Sequence, residues 1–175
     1  MAYIFDTNIF IRSKHEMPMD LWPTFWKRIA EMINAGDVLS NIQVKGEIDK
    51  GGDELTDWMK HNVPAGFYIG NDADVMVRYG EVINWAQTRS VYKQEAVEEF
   101  ACVADAYLVA TAAAKGLVLV TNETSDPKCT RRVKIPDACN AFGVRFCDLN
   151  TVLRELGVMI YPFLAVFQIN NNESL

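Results

Sequence analysis

The chain has 175 residues, half of them hydrophobic and 23% charged, which gives one globular domain with a sizeable core and excludes a disordered chain. No apolar run approaches the roughly 20 residues that span a bilayer, and no basic region followed by an apolar one opens the chain as in a signal peptide, so no membrane partner and a cytoplasmic location are expected. A formal net charge of -6 argues against gripping nucleic acid by bulk charge, yet suits carboxylates offset by divalent cations.

Tyr3, Ile4 and Phe5 form a short apolar run that reads as a buried strand, with Asp6, Thr7 and Asn8 at its carboxyl end. Ile9 to Arg12 then read as the start of a connection carrying Lys14 and His15, punctuated by Pro18 and Pro23. From about Leu21, apolar residues at Trp22, Phe25, Trp26, Ile29, Met32 and Ile33 recur at three- and four-residue steps, the period of an amphipathic helix. Gly36 closes it as a C-cap. Asp37 to Ser40 is a short strand, and Asn41 caps a helix through Gln43, Val44, Glu47 and Ile48 that stops at Gly51 and Gly52.

A further short helix is expected from Asp53 to about Met59, and a minor strand over Phe67 to Ile69. Asn71 or Asp72 caps a helix carrying Val75, Val82 and Trp85. Glu95 to Lys115 is the most helical stretch, with a break near Ala101 to Ala104. Leu117 to Thr121 is a continuous apolar strand, as expected when helices cover both faces. A polar turn at 122–127 leads into a basic loop, Lys128 to Lys134. Pro136 opens a helix closed by Gly143, Val144 to Cys147 is the last strand, and Leu149 to Leu156 a short helix. The alternation of strands and helices implies a parallel sheet sandwiched by helices. Residues 1–157 read as the domain, and 158–175 as an apolar extension with a frayed tail.

Cys102, Cys129, Cys139 and Cys147 lack the close pairs of a zinc site and are expected as free thiols, several of them buried. The acids at element ends carry more information. Asp6 ends the first strand, Glu47 follows the second, Asp105 stands among alanines, valines and Leu108, and Glu123 follows the strand ending at Thr121, with Asp126 one turn on. Each has a plain structural reading: a turn or helix cap for Asp6 and Asp105, a solvated helix residue for Glu47, turn-amide acceptors for Glu123 and Asp126. Yet strands of a parallel sheet open their carboxyl ends on one edge. Carboxylates meeting there stay ionised only beside cations, and oxygen ligands without His or Cys point to Mg²⁺ or Mn²⁺.

Asp6-Thr7-Asn8 after its strand, Glu47 within Val44-Lys45-Gly46-Glu47-Ile48, Asp105-Ala106-Tyr107-Leu108-Val109-Ala110-Thr111-Ala112, and Val118-Leu119-Val120-Thr121-Asn122-Glu123 resemble four successive motifs of the PIN-domain family. The resemblance runs from about Met1 to Leu156. It implies an α/β fold, a three-layer α/β/α sandwich with a parallel sheet in strand order 3-2-1-4-5. It also implies a Mg²⁺- or Mn²⁺-dependent ribonuclease, commonly the toxin of a type II toxin–antitoxin pair in the VapC-like branch. One departure is that Glu123 stands where the family usually has Asp; Asp126 is the alternative ligand. On this reading Asp6, Glu47, Asp105 and Glu123 are catalytic and metal-binding, Asn8 and Thr121 orient them, and Arg12, Lys14, Lys45, Arg131 and Arg132 form a basic rim for RNA.

Two other classes compete. A haloacid-dehalogenase-type phosphatase wants a second Asp where Asn8 stands, and a receiver domain wants an acidic pair and a later Lys that the chain does not supply. A PIN fold without turnover would act as a binding module or scaffold. The aromatic residues Trp22, Phe25 and Trp26, with Tyr161, Phe163 and Phe167 in the tail, exceed what a core this size needs; most of them are expected in the core, and a surplus left exposed would mark the interface of a homodimer or of an antitoxin partner.

Overall fold

The computed structural model describes residues 2–160. The order of elements is β1 (Tyr3–Phe5), α1 (Thr7–Glu16), α2 (Pro23–Asn34), β2 (Val38–Asn41), α3 (Ile42–Gly51), α4 (Glu54–Asn62), β3 (Tyr68–Ile69), α5 (Ala73–Thr88), α6 (Gln94–Cys102), α7 (Ala104–Lys115), β4 (Val118–Val120), α8 (Ile135–Phe142), β5 (Phe146–Cys147) and α9 (Leu149–Glu155). All strand pairs are parallel, in the order β3-β2-β1-β4-β5. Every residue of β1 and of β4 is buried. Successive side chains of a strand point to opposite faces, so helices cover the sheet on both sides. The tail aromatics Tyr161, Phe163 and Phe167 lie outside the described residues. No helix among the described residues is long and apolar enough to cross a membrane.

The first strand is the middle of the sheet, in register with β2 through Tyr3 and Val38 and with β4 through Phe5 and Val120. Thus Asp6 leaves the sheet at its centre. The segment expected as a connection after Asn8 is instead helix α1. Asp6 caps that helix by accepting from the Asn8 amide at 3.2 Å, and Ile9, Phe10 and Ser13 form its buried stripe. Phe10 packs against Phe5 and Phe67, with ring centroids 5.6 and 6.2 Å away, joining helix and sheet. Replacing Phe10 with Ala should cost about 3–5 kcal/mol, read as a lower midpoint in denaturant unfolding; a loss below about 1 kcal/mol would contradict this placement.

Helix α7 is the central helix, packed against α3, α5, α6, α8, β2 and β4. Its alanines allow close approach, and Ala104, Ala106, Ala110 and Ala112 are all buried. Gly116 ends it with φ +66°, a left-handed conformation that glycine adopts without a Cβ penalty, and β4 begins two residues later. The expected break near residue 103 is present: α6 ends at Cys102 and α7 starts at Ala104. At the end of β2, the buried Asn41 caps α3 and donates to Asn71 and Thr111, both at 2.9 Å. Asn41 therefore ties together three elements of the sheet's carboxyl edge. All four cysteines are free, but only Cys139 is fully buried, because the others fall at element ends or in the loop after β4.

Candidate active site

Asp6 is completely buried at the end of β1. Besides the Asn8 amide, its carboxylate accepts from the Thr121 hydroxyl, at the end of β4, at 3.0 Å. The cap and the site are therefore one residue. Thr121 Oγ1 in turn accepts from the Glu123 amide at 3.2 Å, which fixes the chain direction after β4. Burial, with the charges of Glu123 and Glu47, outweighs these hydrogen bonds and raises the Asp6 carboxyl from 3.8 to about 6.

Asp105 does not cap α7; that position is Val103, which offers no side-chain acceptor. Asp105 lies in the first turn, 9% exposed. Among the described residues its carboxylate has one ion pair, to Arg132 at 3.9 Å, and no hydrogen bond. Burial raises its carboxyl from 3.8 to about 7, with Asp6, Glu123 and Glu47 adding to the rise and Arg132 opposing it.

Glu47, from α3, supplies the cap that Val103 lacks. Its Oε1 accepts from the Ala104 amide at 2.9 Å and its Oε2 from the Thr7 hydroxyl. It thus locks the start of α7 to α3 and α1, and a negative charge at a helix N-terminus is favourable. Glu123 is held just as firmly: Oε2 accepts from the Ile135 amide at 3.0 Å, and Oε1 faces Lys134 at 3.4 Å and Arg132 at 3.7 Å. Asp126 is exposed and caps its own turn at Lys128.

The five cations of the expected basic rim separate. Arg12 pairs with Glu16 at 2.5 Å on the exposed face of α1, Lys14 with Asp53, and Lys45 with Asp49. Arg131 is exposed. Arg132 is the one that touches the acids. Asn8 contributes its backbone amide to Asp6 while its side chain is exposed. A cavity of about 470 Å³ opens beside Glu123, lined by Arg12, Glu16, Thr121, Asn122, Phe146 and Asn150 among others.

One residue that sequence reasoning missed is Asp137, in the first turn of α8. It is buried and accepts from the Ser125 hydroxyl and, at 3.2 Å, from the Asp126 amide. The loop that carries Glu123 is thereby pinned at Ser125 and Asp126. Replacing Asp137 with Ala should speed amide exchange at Asp126 by about tenfold, in keeping with the loss of one hydrogen bond at roughly 1.4 kcal/mol per decade; unchanged protection would mean the loop is held otherwise.

The donor set fits a hard divalent cation. It consists of carboxylate oxygens alone, and Asp6 and Asp105 are buried carboxyls whose charged forms burial disfavours. In the present arrangement no three acid, His or Cys side chains among the described residues close on one ion, because Glu47 and Glu123 are turned to their hydrogen-bond donors.

Solved structures share this fold, among them the following two. A chain of VapBC2 from Rickettsia felis, bound to a DNA fragment from their promoter, is 13% identical with a TM-score of 0.53 and covers 85% of this chain and 98% of its own length. A chain of FitAcB from Neisseria gonorrhoeae is 20% identical, also with a TM-score of 0.53, over 82% of this chain and 95% of its own. At these identities the likeness is one of fold, and the fold is PIN-like. No curated protein matches in sequence. Residues 3–160 match a sequence family, and the chain belongs to it: the Domain of unknown function (DUF4411).

Proposed function

We propose that this protein is a Mg²⁺- or Mn²⁺-dependent endoribonuclease, and that it is the toxin of a toxin–antitoxin pair. One observation carries the reading. Asp6, Glu47, Asp105 and Glu123, from four separate parts of the chain, meet at the carboxyl edge of a parallel sheet, where burial first and the charges of the neighbouring acids second raise Asp6 to about 6 and Asp105 to about 7. Such a cluster is poorly stable at neutral pH unless a cation joins it.

Asp6 and Asp105 would hold the ion, with Glu47 beside them. A bound divalent ion supplies a lowered pKa for water and charge stabilisation at a leaving oxygen. The chain's own contribution is orientation. The Thr121 hydroxyl and the Asn8 amide fix the Asp6 carboxylate, and Glu47 fixes the start of the helix that carries Asp105. We place the RNA along the cavity beside Glu123, with Arg12 in its lining. The exposed Leu21 and Trp22, at 72% and 48%, would be covered by an antitoxin or a second copy.

The test is incubation of the purified protein with labelled single-stranded RNA and Mn²⁺. Cleavage that a chelator stops and added Mn²⁺ or Mg²⁺ restores is expected. Glu47 and Glu123 already spend their oxygens on protein donors, and this favours a second reading, a binding or scaffold protein with the same fold. Metal binding without cleavage across a panel of RNAs would select that second reading.

A further inference from the structure

We propose that Arg132 is a built-in cation of this site: its guanidinium takes the place between Asp105 and Glu123 that a second divalent ion would otherwise hold, so that the site accepts one ion, at Asp6 and Asp105. This rests on the metal-binding reading above and adds the number of ions to it. One terminal nitrogen of Arg132 lies 3.9 Å from Asp105 Oδ2 and 3.7 Å from Glu123 Oε1, which makes it the single positive charge shared by those two acids. Glu123 has little capacity left, since the Ile135 amide and Lys134 also face its oxygens.

The placement is built in. Arg132 sits in the loop between β4 and α8, and that loop is tied down on both sides of it, by Asp137 at Ser125 and Asp126 and by Glu123 at Lys134 and Ile135. An arginine stays charged at every accessible pH. A divalent ion drawn to the same two carboxylates must therefore meet a fixed positive charge a few ångströms away, and that repulsion weakens binding by a factor that salt only partly screens. The guanidinium is about half exposed, so its outer face stays open to a phosphate oxygen of the substrate. Arg132 is thus a positioning residue for the acids.

The test is isothermal titration of the full-length protein with Mn²⁺ in the absence of RNA, comparing wild type, Arg132→Gln and Arg132→Lys. Wild type and Arg132→Lys should bind one ion. Arg132→Gln should bind a second, or bind the first about tenfold more tightly, as expected from losing one nearby charge. Two ions in the wild type would overturn the proposal, as would a Gln variant unchanged in number and affinity. An absence of Mn²⁺ binding in the wild type would instead remove the metal-binding reading and this inference with it. A melting curve run beside each titration verifies that all three proteins are folded; without metal, Arg132→Gln should melt below wild type and Arg132→Lys, because it removes the cation that opposes the charge on Asp105.

Discussion

Replacing Asp105 with Asn should lower metal-dependent RNA cleavage by about a thousandfold or more, the scale on which loss of a charge-stabilising group acts in hydrolases. The change is nearly isosteric. It removes a charge from a carboxylate that accepts no hydrogen bond among the described residues, so the loss cannot be assigned to broken local structure. Asp6→Asn should do the same, with added disturbance, because an amide there must still face the Asn8 amide and the Thr121 hydroxyl. Asp126→Asn is the contrast. Its carboxylate is exposed and bonded to its own turn, so activity should stay within about twofold of wild type, the range expected of a surface change. Glu123→Gln should fall between, since it loosens Lys134, Ile135 and Arg132 together. Rates measured under single-turnover conditions with Mn²⁺ decide it. An Asp105→Asn protein that cleaves at the wild-type rate would end the ribonuclease reading.

Much of this site was legible before any coordinates. Apolar triplets at Tyr3–Phe5 and Val118–Val120 are too short for helices and too apolar for loops, so they read as buried strands, and their order places Asp6 and Glu123 on one edge. Asn41 was recognisable as a cap because it precedes a helical run, and the second cap was legible only as Asn71 or Asp72, of which Asp72 is the one. Helix α1 was not recognisable. Its buried stripe is only Thr7, Ile9, Phe10 and Ser13, and the exposed Ile11 and Arg12 between them break the period. The cations were harder still. Lys14 is close to Asp6 in sequence, but its partner is Asp53, 39 residues away. Likewise Asp137 resembles any first-turn acid of a helix, and only folding shows that it holds the loop bearing Glu123. Charge partners in loops leave no periodic trace in a sequence, whereas strands and caps do.

The same charge that the chemistry needs should make the metal-free protein less stable, and Asp105→Asn measures by how much. The Asp105 carboxyl rises from 3.8 in an open environment to about 7 in the fold. Between those values the folded protein keeps a proton that the unfolded chain has released. Stability therefore falls as pH rises through this window, and above about pH 7 the full penalty is present. A shift of this size corresponds to at most about 4 kcal/mol. Burial is the largest part of that shift, with repulsion from Asp6, Glu123 and Glu47 behind it. The buried asparagine amide that replaces the carboxylate keeps a desolvation cost of its own, so about 2 kcal/mol is the expected gain from removing the charge. For a domain of this length that is a melting temperature roughly 4–8 °C higher for Asp105→Asn than for wild type at pH 8 in the presence of chelator. The advantage should shrink on acidification and vanish below about pH 4, where the wild-type group is protonated in both states. Saturating Mn²⁺ should reverse the order at pH 8. A ligand at 100 times its dissociation constant stabilises the protein that binds it by about 2.7 kcal/mol, and only the wild type retains both Asp6 and Asp105 to bind it. Thermal melts of both proteins at pH 4 and pH 8, with chelator and with Mn²⁺, give the comparison. If the variant melts below the wild type at pH 8 without metal, Asp105 is held in place by interactions other than those that raise its pKa.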